Sequence, residues 1–167
     1  FTMLIIDIMK YNSIGLPVET SAALVDKLNI LLSGFQVYYQ NLRGLHWNIR
    51  GRKFFDLHVK FEELYNEAQL HIDNLAERIL TIGGKPLHTF EDYVKHNTVK
   101  VGRDISDDEK AVCLIIDSIA ELLRLERIIL KESADTGDEG TNSMMSSLIQ
   151  GQEKTVWMMK AYLEQAL

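Results

Sequence analysis

Proline is almost missing from this chain, with two in 167 residues, at positions 17 and 86. Proline removes a backbone donor and clashes with the preceding helical turn, so its scarcity leaves long stretches where a helix can run unbroken. Cysteine is scarcer still. The single Cys113 excludes an internal disulfide framework and suits a reducing, cytoplasmic setting. It falls in the apolar run "AVCLII", which predicts a buried structural thiol. No apolar stretch is long enough to span a bilayer: the opening "FTMLIIDIM" is too short, and Asp7 interrupts it. That opening also lacks the basic segment and small-residue cleavage site of a signal peptide. Positive charge is in short supply as well. Lys10 is the only base among the first 26 residues, and the net charge of −6 disfavours nucleic-acid binding through bulk charge.

What remains is ordinary for one globular domain: 46% hydrophobic and 25% charged residues. Met9 would make a natural start ("MKYNSIGLP"), so residues 1–8 are set aside. Residues 1–17 are read as an N-terminal segment and 18–167 as one domain.

The punctuation divides that domain into four helices. Pro17 with Thr20 or Ser21 is expected to mark the start of the first. Leu24, Leu28, Leu31, Phe35, Tyr38, Leu42 and Leu45 then recur at spacings of three and four, an amphipathic helical stripe that Asn48 and Gly51 close. A second helix is predicted from about Lys53 to Ile82, with Leu57, Phe61, Leu64, Leu75, Ile79 and Ile82 inward and Gly83-Gly84 as its stop. Residues 85–105 form a connection, with one short helix near Phe90 to His96. Ser106 and Glu109 read as a capping box for the third helix, which runs to about Ser133. Thr141 is expected to cap a fourth that lasts to the end. Four long helices with a long connection between the second and third predict an all-α, ferritin-like four-helix bundle.

The second helix also carries metal-ligand residue types in pairs spaced by four, His58 with Glu62 and Asp73 with Glu77. At about 100° per residue they lie at about 0°, 40°, 60° and 100° around the axis, one narrow stripe beside the apolar face. The plain alternative is a solvated charged face. Glu62 and Asp73 are roughly 16 Å apart along a helix rising about 1.5 Å per residue. Ligand bonds are only about 2 Å long. Either the pairs bind nothing, or a second helix supplies the missing half. An antiparallel copy across a two-fold axis would set His58 and Glu62 of one subunit opposite Asp73 and Glu77 of the other, twice per dimer. His46, at the end of the first helix, would join the His58 half across a tight turn. Two imidazoles and three carboxylates suit iron, zinc or manganese rather than copper(I).

The run "YYQNLRGLHWNIRGRKFFDLHVKFEELYNEAQLHIDNLAERILTIGGKP" resembles the Dps family, the DNA-protection-during-starvation proteins or miniferritins. The similarity runs from about residue 14 to the end. It is carried most specifically by His46-Trp47-Asn48, Leu57-His58, Asp73 and Ala76-Glu77-Arg78. The resemblance implies a ferroxidase centre across the two-fold interface of a hollow twelve-subunit shell. His46, His58 and Glu62 would come from one subunit, with Asp73 and Glu77 from its neighbour. Glu62 departs from the aspartate frequent at its position, which leaves its direct or indirect contact with the metal open. The resemblance further implies oxidation of Fe(II), preferentially by hydrogen peroxide, and storage of ferric oxide that protects the cell and its DNA. Trp47 matches an aromatic thought to intercept oxidising equivalents beside the centre; an ordinary interface tryptophan is the other reading. In the turn "LKESADTGDEGTNS", Glu132, Asp135, Asp138 and Glu139 match acidic residues that line iron-uptake pores. A solvated turn would look the same.

Glu126, on the apolar stripe of the third helix, is assigned no role, and His71, His88 and His96 are read as structural or surface histidines. A ferritin or rubrerythrin with its metals inside one bundle would need Glu-x-x-His pairs on two helices. This sequence has none. A DNA-condensing role would draw on a lysine-rich terminal arm. No such arm is seen, and weak or absent DNA binding is expected.

Overall fold

The apolar stripes of the first two long helices turn inward residue for residue. Leu24, Leu28, Leu31, Phe35, Tyr38, Leu42 and Leu45 are buried, and so are Leu57, Phe61, Leu64, Leu75, Ile79 and Ile82. The structure, a computed structural model, describes residues 10–164. The expectations for residues 1–8 and for the last three residues lie outside them. The described chain is helical throughout: α1 (Val18–Asn48), α2 (Phe54–Thr81), the short α3 (Phe90–His96), α4 (Asp108–Asp135) and α5 (Glu139–Tyr162). Extended pairing among the described residues is limited to an isolated bridge between Tyr11 and Pro17. None of these helices is long and apolar enough to cross a membrane.

α1 and α2 form an antiparallel pair closed by a short turn in which Gly51 takes φ +106°, a left-handed conformation natural to glycine. α2 stops where Gly83 takes φ +93°. Its neighbour Gly84 lies so close to α1 that a Cβ there would meet Val25 at 2.4 Å. Two asparagines of α1 then pin the crossing chain from both ends. Asn29 donates to the carbonyl of Lys85 and accepts from the amide of Leu87. Asn41 does the same for Lys100 and Gly102. The crossing thus runs the length of α1, and α4 starts at the end where α1 finished. Phe35 and Phe61 are fully buried at the centre. Truncating an aromatic side chain in such a core typically costs about 3–5 kcal/mol.

The helix caps differ from the sequence expectation by a residue or a few. α1 begins at Val18, behind Pro17, and neither Thr20 nor Ser21 caps it: the Thr20 hydroxyl donates back to the carbonyl of Pro17. The cap of α4 is Asp107, whose carboxylate accepts from the amide of Lys110. Ser106 lies one residue too early and uses its carbonyl to accept from the amide of Arg50. α5 is capped by Asp138, which accepts from the amide of Thr141. That helix ends at Tyr162 instead of continuing to the terminus.

Candidate metal centre

The turn after α1 brings His46 and His58 into direct contact. Their rings stack at 3.7 Å between centroids, 20° from parallel. His46 Nδ1 lies 2.7 Å from the carbonyl oxygen of His58, and His58 Nδ1 lies 2.9 Å from that of His46. A carbonyl oxygen only accepts, so Nδ1 carries the hydrogen in each ring and Nε2 is the nitrogen left for a cation. Metal-binding imidazoles are held in this way, with the other ring nitrogen donating to a carbonyl or carboxylate. Phe54 stacks on His58 at 4.9 Å, and Tyr65 meets His46 edge-on at 5.4 Å. Both rings are therefore fixed in orientation by packing as well as by hydrogen bonds.

Glu62, Asp73 and Glu77 stand exposed on the outer face of α2. Among the described residues, no three ligand-type side chains of one chain converge on a point. His46 and His58 come together; Asp73 and Glu77 lie further along the helix, as the eleven-residue step from Glu62 requires. The same face carries Val59, Leu70 and Leu80, exposed at 54%, 66% and 58%. At about 100° per residue they fall at about 100°, 120° and 40° on the scale that puts His58 at zero, within or beside the ligand stripe. Carboxylates interleaved with exposed apolar side chains make a face suited to a partner rather than to water alone. Phe55 and Trp47 lie exposed at the histidine end, and Trp47 carries the Arg43 guanidinium over its ring at 4.7 Å.

Tyr65, which the sequence reading passed over, joins this half-site. Its phenol pKa is raised, first by desolvation and then by the charge and hydrogen bonding of Glu62. Its ring meets Tyr39 edge-on at 6.1 Å. The available signal was its position three residues after Glu62, on the adjoining turn of the helix.

The acidic turn between α4 and α5 divides. Glu132 pairs with Lys27 at 3.0 Å and Asp135 with Lys131 at 2.5 Å, and both of these carboxylates retain solvent contact. Glu139 is exposed. Asp138 does not belong with them. It is buried, caps α5, accepts from the Thr141 hydroxyl and pairs with Arg78 at 2.5 Å. Its assignment to a pore lining is therefore withdrawn, because its carboxylate is spent inside the chain. Arg78 also donates to the Thr141 hydroxyl and lies against Gly140, where a Cβ would come within 2.8 Å of the guanidinium. Arg78 follows Glu77 directly, so this network anchors the carboxylate end of the stripe to the base of α5.

Glu126 is wholly buried between α4 and α5, hydrogen-bonded to Gln152. Desolvation pushes its carboxyl up to about 7. Cys113, expected to be buried, is exposed. The apolar run around it is continuous, so periodicity alone does not say which member faces out; Val112 and Leu114 are the inward ones. His71 packs edge-on to Phe35 at 5.7 Å and pairs with Glu67 at 3.5 Å. His88 and His96 each place Nδ1 near a local backbone carbonyl, of Pro86 and Asp92 respectively.

The ferritin-like domain family matches residues 25–166. A DNA protection during starvation protein of Porphyromonas gingivalis is 41% identical over 148 residues, covering 89% of this chain and 93% of that protein. The fold superposes on the crystal structure of a Dps protein from Vibrio cholerae O1 with a TM-score of 0.91 and 47% identity, covering 93% of this chain and 98% of the other. That protein is described as a member of a broad superfamily of ferritin-like diiron-carboxylate proteins. A Dps protein from Bacillus brevis superposes with a TM-score of 0.84 at 34% identity, over 87% of this chain and 97% of its own. A helical bundle with a pinned crossing, a prepared histidine pair and relatives of this closeness together place the chain in the ferritin-like family, among the Dps proteins.

Proposed function

We propose that this protein is an iron-storing ferroxidase that oxidises Fe(II), preferentially with hydrogen peroxide, at sites shared by two copies of the chain. Iron storage and protection against oxidative damage are the role its family supports. The observation that carries the finer reading is the reciprocal histidine pair, whose backbone hydrogen bonds use Nδ1 in each ring, standing at one end of the α2 stripe that presents Glu62, Asp73 and Glu77. A two-fold partner running antiparallel along α2 would bring its Asp73 and Glu77 to the histidine half, and the exposed Val59, Leu70 and Leu80 would be covered by the same contact. Such a two-fold contact closes on itself as a dimer, and the dodecameric shell of the family would need a further contact between dimers.

The chemistry follows from the donor set. Carboxylates are hard ligands that favour Fe(III) over Fe(II), which promotes loss of an electron. Two Fe(II) ions side by side supply both electrons that hydrogen peroxide needs to become two waters, so no hydroxyl radical is released. Imidazole Nε2 atoms fixed by backbone carbonyls hold substrate iron without reorganisation of the rings. Glu132, Asp135 and Glu139 are the residues proposed to gather cations at an uptake pore. DNA binding is proposed to be weak or absent.

The test is anaerobic addition of hydrogen peroxide to Fe(II)-loaded protein, comparing wild type with Asp73→Asn. Fast oxidation with about two irons per peroxide in the wild type, slowed about a hundredfold in the variant, is expected. Equal slow rates in both would sink the reading and leave the stripe as a structural interface or a site for a redox-inert metal.

A further inference from the structure

Glu126 on α4 and Gln152 on α5 meet across the seam between these helices, one fully buried and the other nearly so. The Gln152 amide nitrogen donates to Glu126 Oε1. Two oxygens are left over, Glu126 Oε2 and Gln152 Oε1, and both are buried without a hydrogen-bond partner. Buried polar atoms are almost always paired, because an unpaired one gives up its hydration and gains nothing in exchange. Here both orphans are acceptors as long as the carboxyl is ionised. A hydrogen on Glu126 Oε2 changes the count. The carboxyl becomes a donor, the amide oxygen becomes its acceptor, and one bond satisfies both atoms. With the bond already present it closes a ring of two hydrogen bonds, the arrangement in which a carboxylic acid and an amide pair. Turning the amide over would set two acceptor oxygens against each other and call for the same hydrogen.

The charges around the pair supply no substitute donor. Arg127, beside Glu126 on α4, is half exposed and paired with Glu153 of α5 at 2.7 Å. Arg124 is exposed and paired with Glu121 at 2.9 Å, and Lys154 of α5 is exposed. From α1, Lys27 is bonded to Glu132 at 3.0 Å. From α2, Glu67 approaches α5 at Gly151 and is paired with His71 at 3.5 Å. Among these, Arg127 is the charge that favours the ionised form of Glu126, and desolvation outweighs it.

We propose that Glu126 and Gln152 form a proton-closed latch between α4 and α5, an acid–amide pair that holds α5 in place while the proton is bound and releases it when the proton leaves. Burial has raised the carboxyl to about 7, so the latch is shut below that pH and opens as the pH rises through it. Above it an unpaired charge is left in the seam, and local opening of α5, which admits water to that charge, becomes easier. No metal takes part, so the latch stands apart from the ferroxidase reading.

The experiment uses the intact full-length protein without iron. Infrared spectra are compared for wild type, Glu126→Gln and Gln152→Leu at about pH 6, where ordinary carboxyls are ionised, and at about pH 9. The stretching band of an un-ionised carboxyl is expected in wild type at the lower pH, gone at the higher pH and absent from Glu126→Gln. In Gln152→Leu it should move to higher frequency, because the amide no longer holds the carbonyl. Hydrogen exchange then tests the release. An amide in place of the carboxyl closes the same ring at any pH, so Glu126→Gln is a latch kept shut. At the higher pH the α5 amides around Gln152 should exchange about tenfold faster in wild type than in Glu126→Gln, and equally at the lower pH. Should Glu126→Gln fail to fold, the wild-type band, assigned by isotope labelling of the glutamate carboxyls, and its shift in Gln152→Leu decide instead. A wild type with no un-ionised band at the lower pH overturns the proposal, as does a band that keeps its position in Gln152→Leu. Exchange of α5 that is equal in wild type and Glu126→Gln at both pH values overturns it too.

Discussion

Glu126 sits wholly buried between α4 and α5 with Gln152 as its partner, whereas Glu62, Asp73 and Glu77 stand in solvent along α2. The two settings treat the same functional group in opposite ways. Inside the bundle a carboxyl is stripped of water, and its affinity for a proton rises. On the outer face the carboxylates keep their hydration and lack only enough neighbours to bind a metal. A four-helix bundle has an obvious interior for a metal site, yet here the interior is given over to packing and the carboxylates proposed as metal ligands are turned outward. On the reading proposed above, chemistry on that face would need a second chain.

The largest effect expected from breaking this contrast comes from subunit mixing. A chain with both His46→Ala and His58→Ala, and a chain with both Asp73→Asn and Glu77→Gln, should each be inactive alone. In a two-fold dimer of one with the other, one of the two sites is intact, so random reassembly should restore about a quarter of the wild-type Fe(II) oxidation rate. A mixture as inactive as its parents would place the site within a single chain or nowhere.

Next in size is the anchor beneath the carboxylate end. Arg78→Ala leaves Asp138 buried without its counter-ion, a change that typically costs about 3 kcal/mol or more. The urea midpoint should drop clearly, and Arg78→Lys should recover only part of it because lysine lacks the fork that reaches both Asp138 and Thr141. An unchanged midpoint in Arg78→Ala would deny the network its structural role.

The interior carboxyl gives a smaller and pH-dependent effect. Its folded-state pKa of about 7 lies above the ordinary 4.5, so the folded protein binds this proton more tightly than the unfolded chain does. Its contribution to stability is complete below pH 4.5 and is lost as the pH rises through 7. Glu126→Gln should therefore stabilise the protein at pH 8, by a few kcal/mol at most, and change little at pH 4. Thermal melts at the two pH values check the sign; stabilisation equal at both would mean that the proton is not involved. Smallest of all, Cys113→Ser should stay within about 0.5 kcal/mol of the parent, since the thiol is exposed.

Most of the bundle was legible because a helix writes its buried face into the sequence every three or four residues; the stripe of α1 did so without a break, and that of α2 was interrupted only between Leu64 and Leu75, where Ala68 is the buried residue. The caps were less so. Ser106 and Asp107 are both good caps and stand side by side, and the choice depended on where the chain bends, with the Ser106 carbonyl committed to Arg50. Thr141 looked like a cap because it belongs to one, as the partner of Asp138. For the candidate metal centre, spacing along one helix put His58, Glu62, Asp73 and Glu77 on one stripe. It could not reveal that His46 and His58 exchange backbone carbonyls, because that geometry is set by the turn between the helices. Nor could it find Gln152 as the partner of Glu126, 26 residues away on the next helix.

The distance between the two halves of the α2 stripe has a consequence for the life of the protein before assembly. If the site is the shared one proposed above, a newly made chain holds the histidines and the remote carboxylates too far apart to work together and would meet cellular iron without turning it over. Activity should then begin with pairing and, at low abundance, rise with the square of chain concentration. Synthesis alone would not switch the oxidation on; crowding enough chains together to close their interfaces would.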